Sequence, residues 1–104
     1  MASRVEREFH QAMIDLHRAA EAIGYRATVF IGMVQQRGGL ATAKALINSS
    51  RPTDGYTKLF ELGRLDLSVE AVVIDNPAWH ELFTAEELLR ARKRLKDHRY
   101  QSRA

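Results

Sequence analysis

The chain has 104 residues, 16 Lys and Arg against 13 Asp and Glu for a formal net charge of +3, 45% hydrophobic and 28% charged residues, and no cysteine. That length allows one domain with one modest core, and the composition excludes a chain disordered throughout. The lack of cysteine excludes disulfides, thiol catalysis, iron–sulfur clusters and thiolate zinc sites, and no apolar run approaches the roughly 20 residues of a membrane span.

Residues 3–23 read as a helix. Val5, Phe9, Ala12, Met13, Leu16, Ala19 and Ala20 recur every three or four positions and share one face. Ser3, followed three residues later by Glu6, is a capping-box signature, and Gly24 stands where a left-handed C-terminal cap is usual. Residues 25–36 suit a buried helix through Val29, Phe30, Met33 and Val34, or a strand over Thr28 to Ile31. Arg37-Gly38-Gly39 breaks that segment. Leu40 to Asn48 reads as a short helix with Leu40, Ala43, Leu46 and Ile47 on one face.

Ser49 to Gly55 is a loop by its turn residues, and Tyr56 to Leu62 is a short helix stopped by Gly63. Across 65–74, apolar residues alternate at 65, 67, 69, 71 and 73, a strand pattern, while Leu65, Val69, Val72 and Val73 also fit a helix face. The helical neighbours favour a helix here. Asn76-Pro77 forces a turn, and Trp79 to Phe83 makes a helical turn. Thr84 and Glu87 form a second capping box, which starts a helix running to about Arg99 with Leu88, Ala91 and Leu95 inward. Tyr100 to Ala104 is expected to fray. The expected fold is all-α, a compact bundle of four to six short helices forming one domain over residues 1–104. The alternative is α+β, with a two-stranded ribbon from 27–34 and 66–73. Phe9, Phe30, Tyr56, Phe60, Trp79 and Phe83 are expected in the core, where a domain this small needs its aromatics.

The charge is unevenly placed. Residues 1–84 hold 9 basic and 10 acidic side chains, whereas residues 85–104 hold 7 basic and 3 acidic ones, a net of +4. The basic set is Arg90, Arg92, Lys93, Arg94, Lys96, Arg99 and Arg103. At spacing four, Glu86 can pair with Arg90 and Lys93 with Asp97, leaving Arg92, Arg94, Lys96, Arg99 and Arg103 in excess. Such a helix suits phosphate contact without base reading. The plainer reading is a solvated face whose cations suit the helix dipole.

Gly38-Gly39, Ala43-Lys44, Asp54-Gly55-Tyr56 to Leu59, Gly63-Arg64-Leu65-Asp66-Leu67-Ser68-Val69-Glu70, and Leu82-Phe83-Thr84 with Glu87, Ala91 and Arg94-Leu95 together carry a resemblance. The chain resembles a short helical module of many uncharacterised bacterial proteins, over roughly residues 36–97 and most densely over 54–70. The resemblance implies a bacterial, cytoplasmic, helical protein and carries over no functional residue.

Other candidates are weaker. Glu6 and His10 lie four apart on the first helix, with His17 about 10 Å further on, too far to complete a metal site. Asp54, Asp66 and Glu70 could serve acid–base work or hold a hard cation if they converge; helix capping and loop chemistry account for them more simply. Gly38 and Gly39 ahead of Thr42 and Lys44 could turn backbone N–H groups toward an anion. That loop lacks the second glycine and the Ser or Thr of a P-loop, and Ala41 replaces the second glycine of a DNA-backbone-binding hairpin. The first functional expectation is therefore a non-enzymatic, nucleic-acid-associated module. It would contact DNA or RNA phosphates through Arg92, Arg94, Lys96 and Arg99, aided by Arg37, Lys44 and Arg51. A protein-interaction or homodimerisation module is second, and an enzyme using Asp54, Asp66 and Glu70 third. No cofactor, metal or membrane is expected. The N-terminal Met-Ala-Ser-Arg-Val-Glu-Arg has no apolar stretch behind it, which points to the cytoplasm rather than secretion.

Overall fold

The computed structural model describes residues 3–101. Six α-helices form among them: α1 (Arg4–Ala22), α2 (Thr28–Arg37), α3 (Gly39–Ile47), α4 (Asp54–Glu61), α5 (Val69–Asp75) and α6 (Ala85–Asp97). Two 3₁₀ segments, Leu65–Leu67 and Pro77–Leu82, flank α5. The architecture is an all-α bundle. The ribbon alternative is corrected: 28–37 is helical, 69–75 is helical, and no strand forms among the described residues. None of the described helices is long and apolar enough to cross a membrane.

Local signals start most of these helices. Ser3 Oγ accepts the Glu6 N–H, Thr53 Oγ1 accepts the Tyr56 N–H, and Ser68 Oγ accepts the Ala71 N–H. At α6 both halves of the capping box are made: Thr84 Oγ1 accepts from the Glu87 N–H at 3.1 Å, and Glu87 Oε1 accepts from the Thr84 N–H at 2.9 Å. Three helices end in the same closure, in which the residue two beyond the cap donates its N–H five positions back. These bonds are Tyr25 to Ala20, Arg64 to Leu59 and Tyr100 to Leu95. The left-handed position of that turn is Gly24 after α1 and Gly63 after α4, but Arg99 (φ 59°) after α6.

The core is centred on α1, α3, α5 and α6. Helix α1 packs on α2 and α3, α5 packs on α6, and α3 touches both α5 and α6. Phe9 is fully buried and meets Trp79 and Phe83 edge-on, at 5.3 and 5.6 Å between ring centres. Such pairs add about 1 kcal/mol each beyond area burial. Phe60 departs from expectation: it is 47% exposed and touches the His98 ring edge-on at 5.0 Å. Tyr100 is half-buried against the core rather than frayed, and its hydroxyl donates to Asp75 Oδ2. Residues 102–104, including Arg103, lie outside the described residues.

The glycine pair after α2 has a packing reason. Gly39 is buried where α3 crosses α1, and a Cβ there would sit 2.7 Å from the His10 Cα, a backbone atom that cannot yield. Gly38, at φ +89°, makes the turn that brings α3 into this position.

Candidate functional site

Helix α6 carries the basic excess, and the structure sorts its cations into three groups. Glu87, Ala91, Arg94 and Leu95 face inward, so the outer surface has two edges set by the helical repeat. On one edge, Arg90 donates through Nη1 to Asn48 Oδ1, and Lys93 pairs with Asp97 at 3.2 Å. The expected Arg90–Glu86 pair is replaced by the Asn48 contact, because α3 ends beside α6. On the other edge stand Arg92 and Lys96, both exposed, with Leu89 beside them, and Arg99, also exposed, lies just past the end of the helix beside Phe60 and Arg64. Their side chains hold no ion pair among the described residues. Arg92 and Lys96 border a surface groove of about 440 Å³ that also includes Pro77, His80 and Tyr100.

Arg94 forms the third group and corrects the expectation of a surface cation. It is 8% exposed and points into the bundle. Its Nη1 donates to Glu70 Oε2 at 2.9 Å and to the Leu46 carbonyl at 3.1 Å, and its Nη2 donates to the Ser49 carbonyl at 2.7 Å. The planar guanidinium thus ties the end of α3 to α5 and α6. Burial pushes the Glu70 carboxyl above its usual range, while the Arg94 hydrogen bond and charge oppose that rise. Beside this pair the Tyr56 hydroxyl donates to the Arg94 carbonyl at 3.0 Å and touches His98 Nδ1 at 3.1 Å. Burial, then the field of Glu70, raises the Tyr56 pKa above its ordinary value, with Arg94 opposing.

Lys44 is also engaged internally. Its Nζ lies 2.6 Å from Glu87 Oε1 and 5.1 Å from the centre of the Phe83 ring. Asn48 Nδ2 donates to Glu87 Oε2 at 2.8 Å. Burial acts to raise the Glu87 pKa, but hydrogen bonds from Lys44, the Thr84 backbone and Asn48 outweigh it and hold the carboxyl at about 2. One acid therefore caps α6 and anchors α3 to it. Arg37 and Arg51 are exposed on other elements.

The remaining candidates separate in space and role. The Gly39 N–H donates to His10 Nδ1 at 2.8 Å, so it is not turned toward an external anion. His17 Nε2 lies 3.5 Å from Glu21, and its Nδ1 is buried without a hydrogen-bond partner. Neither histidine joins a cluster of metal-ligating side chains among the described residues. Asp66 is held by both Arg64 Nε and Nη2 at 3.0 Å. Glu70 is buried on Arg94, whereas Asp54 is exposed in the first turn of α4. Each of the three carboxylates thus sits in a different environment. The large exposed apolar side chains, Val29, Phe60, Leu62 and Leu89, are divided among α2, the end of α4 and α6.

Among the described residues the fold is an all-α bundle in which α6 carries cations without partners at Arg92 and Lys96. No known protein family, curated protein or solved structure matches the chain.

Proposed function

We propose that this chain is a sequence-independent nucleic-acid-binding module that contacts backbone phosphates through Arg92, Lys96 and Arg99. The observation that carries this reading is the division of labour on α6. Arg90, Lys93 and Arg94 each have a partner within the fold, whereas Arg92 and Lys96 on the other edge, and Arg99 just past the end of the helix, have none among the described residues. Arg92 and Lys96 lie about one helical turn apart, about 6 Å along α6, and Arg99 follows just past the end of that helix.

Arg99 adds a second support. It occupies the left-handed turn position that glycine fills after α1 and α4. An arginine there costs about 1 kcal/mol relative to glycine. A charged side chain kept at a position where glycine is more stable is a feature that phosphate contact explains. No asparagine, glutamine or arginine pattern suited to base edges accompanies the three cations, so binding is expected to be indifferent to sequence.

The test is fluorescence anisotropy of a labelled mixed-sequence DNA duplex at low salt. The wild-type chain should bind, and Arg92→Ala with Lys96→Ala should weaken binding by tenfold or more. Arg64→Ala, which removes a cation already held by Asp66, should leave binding unchanged. Absence of binding at low salt, or equal loss from Arg64→Ala, contradicts the proposal.

A further inference from the structure

A cavity of about 370 Å³ lies between the C-terminal half of α1, the N-terminal half of α2, the start of α4 and the junction leading into α5. It is remote in kind from the cationic edge: neither Arg92, Lys96 nor Arg99 borders it. An apolar cavity of about 150 Å³ is already enough to hold benzene, and ligand sites begin at about 300 Å³.

The wall is mostly apolar, built by Leu16, Ala20, Phe30, Met33, Leu59 and Val69. Met33 is unbranched and polarizable, so it can adapt to a range of shapes. On one side of the rim Val29 is 77% exposed, an apolar side chain left in water at the opening. Tyr25 also lines the cavity and lies over the first turn of α4, with its hydroxyl 3.1 Å from where a Gly55 Cβ would stand.

The charges on the wall decide the class of ligand. Glu70 borders the cavity but is neutralised from behind by Arg94. Arg26 and Asp54, of opposite sign, are both exposed at the rim. His17 also borders the cavity, with its Nε2 3.5 Å from Glu21 and its buried Nδ1 without a hydrogen-bond partner, so the wall offers a polar atom to a ligand, while a charged group among the apolar side chains would carry an uncompensated desolvation penalty. From volume, lining and charge balance together we infer that this cavity binds an uncharged, largely apolar small molecule of one or two rings, or a branched aliphatic of similar bulk.

The test uses the isotopically labelled full chain and three probes at equal ionic strength: indole, benzoate and benzylammonium. Indole should give saturable chemical-shift changes with a Kd below about 1 mM and intermolecular NOEs to the methyls of Leu16, Met33 and Leu59. Benzoate and benzylammonium should bind at least about tenfold more weakly. Ala20→Leu fills the cavity from α1 and should weaken indole at least about tenfold while the circular dichroism spectrum is retained. If that variant does not fold, the NOE pattern on the wild-type chain decides. No saturable shift with indole, NOEs to methyls elsewhere, tighter binding of a charged probe, or a folded Ala20→Leu that binds indole as before overturns the inference. None of these outcomes bears on duplex binding by α6.

Discussion

Arg94 looks like any other cation of a basic helix, and the structure predicts that it behaves unlike them. Consider Arg94→Met, which keeps much of the side-chain volume but removes the guanidinium. Three hydrogen bonds are lost: to Glu70, to the Leu46 carbonyl and to the Ser49 carbonyl. The Glu70 side chain, 3% exposed, is left as a buried carboxylate without its partner. Removing one member of a buried pair costs about 3–5 kcal/mol. A domain of this length has a total stability of roughly 5–15 kcal/mol, so at the lower end of that range the variant loses more than half of the total. Urea unfolding followed by circular dichroism measures this directly. Glu70→Met combined with Arg94→Met should recover about 2–3 kcal/mol of the loss, because no charge is then buried alone. Acidity supplies a second readout. A carboxyl whose folded pKa is raised contributes stability that is present at low pH and lost as pH rises through that pKa. Without Arg94 to oppose burial, the Glu70 pKa rises further, so the deficit of Arg94→Met relative to wild type should shrink as pH falls. A loss below about 1 kcal/mol, the size expected of an exposed cation, together with a pH-independent deficit would refute the reasoning.

Three further outcomes follow from the same geometry. Gly39→Ala should destabilise by about 1–3 kcal/mol, because the new Cβ meets the α1 backbone and overpacks the crossing. Gly32→Ala, which meets nothing inside α2, should stabilise by about 0.5–1 kcal/mol; opposite shifts in Tm distinguish the two. Glu87 titrates with the opposite sign to Glu70. Its folded pKa of about 2 lies below the ordinary 4.5, so its stabilisation is full above the ordinary value and is lost as pH falls toward the folded one. Glu87→Gln should therefore cost about 1–2 kcal/mol at neutral pH, discounted for the partly exposed Lys44, and little in strong acid. Arg99→Gly should raise stability by up to about 1 kcal/mol while weakening duplex binding. A variant that gains neither stability nor a binding defect would remove the reason given for an arginine in that turn.

Much of the helical framework was legible in the sequence because capping is local chemistry. Ser3, Gly24, Thr84 and Glu87 act through neighbours within a few residues, and their patterns need no tertiary information. Segment 65–74 was ambiguous for a physical reason. Val69, Glu70, Ala71, Val73 and Ile74 are all buried in α5, so the helix has too little polar face to display a clean helical period. The start of α4 was misplaced because Asp54-Gly55 reads as turn chemistry, yet Thr53 caps the helix and Tyr25 lies over Gly55. Among the basic residues, charge alone could not separate Arg94 from Arg92. Two signals pointed to it: Arg94 shares the inward face with Ala91 and Leu95, and Glu70 sits alone in an apolar run that implies a buried partner. Lys44 and Gly39 were read as anion-facing because their partners, Glu87 and His10, lie far away in sequence.

The most direct measurement of the central claim is the salt dependence of duplex binding. If Arg92, Lys96 and Arg99 each neutralise one phosphate, log K should fall against log salt with a slope near −2.7, and replacing any one of them with alanine should reduce the slope by about 0.9. Arg94→Met, in conditions where it remains folded, should leave the slope unchanged. A slope near zero, or one that responds to Arg94 but not to Arg92, Lys96 and Arg99, would contradict the assignment of this edge as the phosphate-binding surface.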